Sequence, residues 1–298
     1  MYYVSTRNKE DRRTAAEAIA QGLAADGGLM TPEVFPKLSH NALDTMRDMS
    51  YQQRAVYVMN SYLDDFTASE LSAYADKAYG GEKFDVKEVA PVRAVDENTY
   101  CLELWHGPTC AFKDMALQML PHLLSASLVK NQEEKTVCIL VATSGDTGKA
   151  ALEGFKDVDK TRILVFYPKD GVSAIQELQM NTQEGDNVGV CSVAGNFDDA
   201  QTGVKRLFSD EALREKLAGR GFFLSSANSI NWAASCRRSS TTSPPTVTFC
   251  GRGGFRRGSG STSASQPATS ATFWPPTTPG RWACPSAGSS APPTATMY

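Results

Sequence analysis

Two short runs of this sequence hold residue types that suit chemistry. The first is His106-Gly107-Pro108-Thr109-Cys110-Ala111-Phe112-Lys113-Asp114. In it Lys113 stands between aromatic and apolar neighbours where a helix is about to begin, and the positive end of a helix dipole opposes an ammonium there. Such surroundings lower the amine's pKa, as a lysine needs if it is to form a Schiff base with a carbonyl compound. An ordinary surface lysine is the alternative. The second run is Thr143-Ser144-Gly145-Asp146-Thr147-Gly148. It joins a β-branched apolar stretch to a helical one, so its backbone N–H groups and the hydroxyls of Ser144 and Thr147 suit a phosphate or a carboxylate. A Gly-rich turn capped by its own Thr and Asp, with no ligand, fits it too. It is not a Walker A loop, because Lys149-Ala150 follows the second glycine at the wrong spacing.

Positioning these runs takes an alternating scaffold. Thr136–Ala142, Arg162–Tyr167, Val188–Val193 and Phe222–Ser225 read as buried strands, with helices at Lys149–Phe155, Ser173–Glu184 and Phe197–Phe208 between them. That order implies an α/β fold with a parallel sheet and right-handed crossovers. Ahead of it, Tyr100–Trp105 reads as a short strand and Asp114–Val129 as a helix that Pro121 kinks. Helical spacing over Arg12–Gly28, stopped by Gly27-Gly28, and over Ser50–Leu63 and Ala68–Tyr79 predicts a small helical N-terminal region.

The chain's 298 residues, 41% of them hydrophobic, are enough for a core. Charges interrupt the N-terminus where a signal peptide needs an apolar run, and no stretch reaches the roughly 18 apolar residues of a membrane span. A cytoplasmic protein with no membrane partner is expected. Seven cysteines without C-x-x-C pairs, and three scattered histidines (His40, His106, His122), suggest neither a metal site nor a disulfide framework. The net charge of −3 divides into −9 through Trp232 and +6 beyond it. A body at −9 argues against nucleic acid, while a small phosphorylated substrate needs only a local basic pocket.

Composition changes abruptly after Trp232. From Ala233 to Tyr298 there is no Leu, Ile, Asp, Glu, Lys, Asn or His, and nine of the 15 prolines lie there. A natural disordered Ser/Pro/Thr/Ala tail is one reading. The other is a lost base just after the Trp232 codon, so that later residues are spelled out of frame. Back-translated in the shifted frame, Ala233–Thr248 permits G-R-L-L-P-Q-I-V-Y-Y-F-S-A-Y-C-D, and Ser261–Pro279 permits V-N-V-C-V-P-T-G-N-F-G-N-I-L-A-A-Y-Y-A. The second string is a strand, a Gly/Asn loop and a helix start, the form of a phosphate cradle. The DNA under Ser261–Pro279 decides between the two readings.

Taken together, the two chemical runs resemble threonine synthase. So do Tyr3-Val4-Ser5-Thr6-Arg7, Gly22-Leu23-Ala24-Ala25-Asp26-Gly27-Gly28-Leu29 and Ser226-Ala227-Asn228-Ser229-Ile230-Asn231-Trp232, and the resemblance spans essentially all of residues 1–232. The shifted-frame T-G-N-F-G-N is similar to that family's cofactor-phosphate loop. The resemblance implies the tryptophan-synthase-β-like fold of pyridoxal-phosphate enzymes (fold type II). Residues 1–95 would form its N-terminal helical region, 96–232 an incomplete α/β cofactor domain, and 233–298 an out-of-frame tail, with the larger C-terminal domain mostly missing. It implies that Lys113 binds pyridoxal 5'-phosphate and moves protons, that Phe112 and Asp114 flank it and fix its direction, and that Ser144, Gly145, Asp146 and Thr147 hold the substrate carboxylate. The implied reaction converts O-phospho-L-homoserine and water to L-threonine and phosphate, with no metal. Serine/threonine dehydratase and cysteine synthase are the other enzymes to weigh, and the His-Gly-Pro-Thr entry to the lysine and the long N-terminal region argue against both. Without the phosphate loop, this 298-residue product is expected to be an inactive fragment of that enzyme.

Other residues are candidates on placement alone. Lys169, Ser173 and Gln176 follow a strand end and suit a substrate phosphate or, equally, a helix cap. His106 orients the loop beside Lys113 or is a satisfied structural histidine. Asn228, Ser229 and Asn231 suit ligand contact or turn chemistry. Gly195-Asn196-Phe197 reads as a helix start, since Asp198-Asp199 behind it would repel a phosphate.

Overall fold

A Ser, Thr or Asn stands one residue ahead of five helices and closes a capping box with the residue three positions on: Thr14 with Glu17, Ser50 with Gln53, Thr67 with Glu70, Ser173 with Gln176, and Asn196 with Asp199. Each cap satisfies two helix-end donors and contributes about 1 kcal/mol. The computed structural model describes residues 1–97, 99–227 and 231. The readings of Asn228, Ser229 and the segment 232–298, with its shifted-frame phosphate loop, lie outside the described residues.

The N-terminal part contains β1 (Tyr3–Ser5), β2 (Arg12–Arg13), α1 (Ala15–Gln21), β3 (Met30–Pro32), α2 (His40–Met46), α3 (Tyr51–Asn60) and α4 (Ala68–Tyr79). It is not purely helical as expected, because β1 pairs antiparallel with both β2 and β3. The helix expected over Arg12–Gly28 is also cut short. Arg12 and Arg13 pair with β1, and Gly22, at φ +75, ends α1 with its N–H on the Ala18 carbonyl. Leu23 then bridges back to Leu29. The first glycine is therefore the terminator, since only glycine enters that left-handed conformation without strain.

A two-stranded hairpin follows, β4 (Val92–Ala94) with β5 (Tyr100–Leu102), the second covering the first half of the strand expected at Tyr100–Trp105. The single helix expected over Asp114–Val129 is two, α5 (Asp114–Leu117) and α6 (Leu120–Lys130). The break precedes Pro121, which sits in the first turn of α6, where its missing N–H costs nothing. The buried Tyr79 hydroxyl donates to the Met115 carbonyl at 2.9 Å and so joins α4 to the α5 turn.

The rest alternates: β6 (Thr136–Ala142), α7 (Asp146–Phe155), β7 (Thr161–Pro168), α8 (Ala174–Asn181), β8 (Val188–Val193), α9 (Phe197–Ser209), α10 (Glu211–Ala218) and β9 (Phe222–Ser225). The four strands form one parallel sheet in the order β8-β7-β6-β9, as the alternation predicts. In this alternating part α10 alone went unread in the sequence; none of its residues is buried. Strand side chains alternate between faces. Val137, Ile139, Val141, Ile163, Val165 and Tyr167 point into the main core, and Leu140 and Ala142 point to a smaller cluster closed by Ala200 and Val204 of α9. The main core is continuous with the N-terminal part, running from Tyr3 and Ile19 through Tyr79 and Met115 to Val165. Asn131 and Asn231 fasten the two parts further, donating to the carbonyls of Ala16 and Ile19 at 3.1 and 3.0 Å. Asn231, which is fully buried, is thus spent on a structural bond to a distant part of the chain.

Candidate functional site

Lys113 is the residue just ahead of α5, in helical conformation (φ −64, ψ −25). It is half-buried, and its Nζ lies 4.9 Å from the centre of the Phe112 ring, which is itself 36% exposed. The carbonyl of Lys113 accepts from the amides of Ala116 and Leu117 at 3.1 and 2.9 Å. The backbone of Lys113 is thus committed to the helix start, and its direction follows the turn that precedes it.

Asp114 builds that turn. It is 0% exposed, and its two carboxylate oxygens accept from the Thr109 amide at 2.8 Å and the Thr109 hydroxyl at 2.6 Å. Burial pushes its carboxyl above the ordinary value, with the Thr109 hydrogen bonds pulling the other way. A Cβ on Gly107 would lie 2.6 Å from Asp114 Oδ2, so only glycine lets the backbone rest on this carboxylate. The carboxylate expected to flank Lys113 therefore faces the loop, where it fixes residues 107–109. His106, next in the same turn, bonds Asp85 and Glu103 through its two ring nitrogens at 2.6 and 2.9 Å.

The second run turns at Thr143, which is buried and was not singled out as a site residue in its own right. Its Oγ1 accepts from the amides of Gly145 and Gly148 at 3.0 and 2.9 Å and donates to the Gly145 carbonyl. A threonine at a strand end, five residues ahead of a glycine in a helix's first turn, is the signal that points to it. Gly145 is buried at φ +144, Ser144 and Asp146 are exposed, and Thr147 is half-buried. Asp146, Thr147 and Gly148 are already the first turn of α7, which starts earlier than the expected Lys149. The Asp146 and Thr147 N–H groups lie at the positive end of its dipole and so favour an anion, while that of Gly148 is spent on Thr143.

Gln176 of α8 closes over this turn. Its Nε2 donates to Asp146 Oδ1 at 2.7 Å, and its amide would sit 2.5 Å from a Cβ on Gly145. Ser173 and Gln176 also form the α8 cap, so the capping reading of these two is the observed one. Replacing Gly145 with Ala forces a side chain into a φ it rarely adopts and displaces Gln176. The expected result is a stability loss of about 1–3 kcal/mol, measured by urea denaturation; an unchanged midpoint would contradict it.

The two groups are linked through α5 and α7, which pack together. A Cβ on Gly154 of α7 would stand only 2.0 Å from the Leu117 carbonyl oxygen of α5, so the helices touch backbone to backbone there. Lys113 with Phe112, and Ser144–Thr147 with Gln176, thus stand at the starts of two helices that pack together through their later turns. Asn196 caps α9 through its bonds with Asp199, which agrees with reading Gly195-Asn196-Phe197 as a helix start. Among the described residues, no helix is long and apolar enough to cross a membrane.

Comparison with known proteins agrees with this construction. Residues 2–79 match the family model for the threonine synthase N terminus. Threonine synthase of Eremothecium gossypii is 39% identical over 245 residues, covering 78% of this chain and 46% of that protein. Threonine synthase of Pseudomonas aeruginosa is 39% identical over 234 residues, covering 78% and 48%. The pyridoxal-phosphate-bound crystal structure of threonine synthase from Brucella melitensis superposes with a TM-score of 0.76 at 35% identity, covering 84% of this chain and 52% of that one. The chain spans about half the length of the curated relatives it matches. By sequence and by fold, it is similar to the N-terminal half of the threonine synthases.

Proposed function

We propose that this chain carries the cofactor lysine and the substrate-carboxylate loop of a threonine synthase, the enzyme that converts O-phospho-L-homoserine and water to L-threonine and phosphate. The observation that carries this reading is a half-buried lysine on a locked turn, at the start of a helix that packs on α7, whose own first turn is shaped by the bonds of Thr143 to Gly145 and Gly148. The residues present fit pyridoxal phosphate. Lys113 offers an amine, and the partly exposed Phe112 ring offers an apolar wall next to it. When bound, that cofactor supplies the electron sink that makes protons beside the substrate amine acidic.

The protein's own parts follow from the geometry. Lys113 Nζ would hold the cofactor and, from its place at the helix start, take and return the substrate's protons. Asp114 keeps the lysine's turn fixed through Thr109 and has no exposed surface of its own. The N–H groups of Ser144, Asp146 and Thr147, with the Ser144 and Thr147 hydroxyls, bind the substrate carboxylate and orient it toward Lys113, while Gly145, its N–H on Thr143, shapes the turn. In this reading residues 1–95 are the family's N-terminal region, 96–232 the cofactor-binding part, and 233–298 a stretch spelled out of frame in a protein of the cytoplasm.

The 298-residue chain is a fragment without turnover in this account, because its cradle for the cofactor phosphate is legible only in the shifted frame. Incubated with pyridoxal phosphate and O-phospho-L-homoserine, it releases no phosphate above background. Restoring one base after the Trp232 codon yields a chain that does, measured by phosphate release and L-threonine formation. Threonine formation by the unaltered chain would overturn the fragment reading, and its absence in the restored one would overturn the threonine synthase reading.

A further inference from the structure

We propose that His106 is a positioning residue: it anchors, through Gly107 and Asp114, the turn from which Lys113 projects. The proposal rests on the reading of Lys113 as the cofactor lysine. His106 itself touches neither that lysine's cofactor nor substrate in this account.

The anchor has three points. The His106 carbonyl accepts from the Asp85 amide at 3.1 Å, ring Nδ1 lies 2.6 Å from Asp85 Oδ1, and ring Nε2 lies 2.9 Å from Glu103 Oε2. Asp85 belongs to the segment between α4 and β4, and Glu103 follows β5, so one imidazole ties two separate stretches to the start of the loop. Ionised carboxylates only accept hydrogen bonds, and a neutral imidazole has one N–H. Only the imidazolium serves both partners at once.

The charged groups around the ring are few: Asp85, Glu103, and Arg93 of β4, whose Nε is 3.8 Å from Glu103. Trp105 packs at 5.6 Å between ring centres. Burial works against the charged ring, but the hydrogen bonds of Glu103 and then Asp85, with their charges, outweigh it, and His106 titrates above its ordinary value. Of the two partners Glu103 is the sheltered one, with its side chain 18% exposed against 72% for Asp85.

What makes this anchor reach Lys113 is the absence of slack in the next eight residues. Gly107 rests on the Asp114 carboxylate with no room for a Cβ, Cys110 donates back to the Gly107 carbonyl at 3.0 Å, and Thr109 is bonded twice to Asp114. The Asp114 amide closes the turn on the Ala111 carbonyl at 3.0 Å. A shift at His106 therefore moves Gly107 against Asp114, the residue after Lys113.

The test compares the full chain with its His106→Ala and His106→Gln variants by amide hydrogen exchange, corrected for intrinsic rates, and by borohydride trapping of pyridoxal phosphate followed by peptide mapping. His106→Ala is expected to raise exchange at the Thr109 and Asp114 amides by about tenfold, with protection in α4 and β6 unchanged, and to lower pyridoxyl labelling of Lys113 severalfold. His106→Gln, which keeps one donor, falls between the two. In the wild type, protection of Thr109 is complete below the ordinary imidazole pKa and declines as pH rises through the raised one, because the doubly donating form is then lost; in His106→Ala this dependence disappears. Unchanged exchange at Thr109 and Asp114, or a loss spread evenly over the whole chain, overturns the proposal. Where His106→Ala does not fold, His106→Gln decides by the same criterion. If Lys113 takes no label in the frame-restored chain either, the cofactor reading fails, and the exchange comparison still decides the anchor.

Discussion

A Lys113→Ala chain, mixed with pyridoxal phosphate and reduced with borohydride, carries no pyridoxyl group in the peptide spanning residues 112–114, while the wild-type chain carries most of its label there. The reasoning is positional. Lys149, on the helix of the carboxylate loop, bonds Gln183 and pairs with Glu153 at 3.7 Å. Lys83 donates to Gln118 at 3.1 Å, and Lys130, 4.9 Å from the buried Phe66 ring, pairs with Glu70 at 2.8 Å. Lys113 differs in standing beside a ring that is partly exposed, where a planar aldehyde can reach it. In a chain with the frame restored, the same substitution is expected to lower turnover by about 10²–10⁴-fold, the loss that follows removal of a positioned proton-transfer group. Equal labelling of several lysines in the wild type, or a retained label in the variant, would remove Lys113 from the reading.

The second large effect is on stability. Gly154→Ala places a methyl group where the α7 backbone meets the Leu117 carbonyl, at a separation of 2.0 Å. Both obstacles are main chain, so no side-chain rotation relieves the clash, and the two helices must part. The α5–α7 contact then opens next to Leu152 and Phe155, both fully buried. A cost of about 3 kcal/mol is expected, at the upper end for overpacking and a substantial share of the roughly 5–15 kcal/mol that holds a domain together. The urea midpoint should fall accordingly with the slope unchanged. A shift of a few tenths would mean that α5 moves freely on α7.

The parts of this molecule that sequence reveals are those whose neighbours along the chain decide the outcome. Thr136–Ala142 and Val188–Val193 match their strands residue for residue, because β-branched apolar runs of that length have few other fates. Ala68–Tyr79 matches its helix because Thr67 and Glu70 mark its start. By contrast, β1, β2 and β3 are two or three residues long, too short for an alternating pattern, and their pairing depends on partners far along the chain. The division of Asp114–Val129 into α5 and α6 is signalled locally by Pro121, but the packing of the α5 turn on Gly154 and Tyr79 is not.

The candidate site divides likewise. Lys113 and the Ser144–Thr147 loop are legible as residue types at a helix start. The inward direction of Asp114, the three bonds of Thr143 Oγ1 and the closure by Gln176 are tertiary facts. Each is a buried polar group whose partner had to be found in space, which spacing alone does not give.

The hydrogen bond from Asn231 to the Ile19 carbonyl spans 212 positions, and Phe222 joins Thr136 only after most of the chain has been made. A contact so distant in sequence carries a large loop-closure entropy and forms late, so the order of synthesis becomes part of the folding problem. The ribosome must finish β9 before the strand order can close and the last bond to α1 can form. Until then β6 waits with one edge unpaired, which is when a growing chain is most exposed to aggregation and most in need of a chaperone.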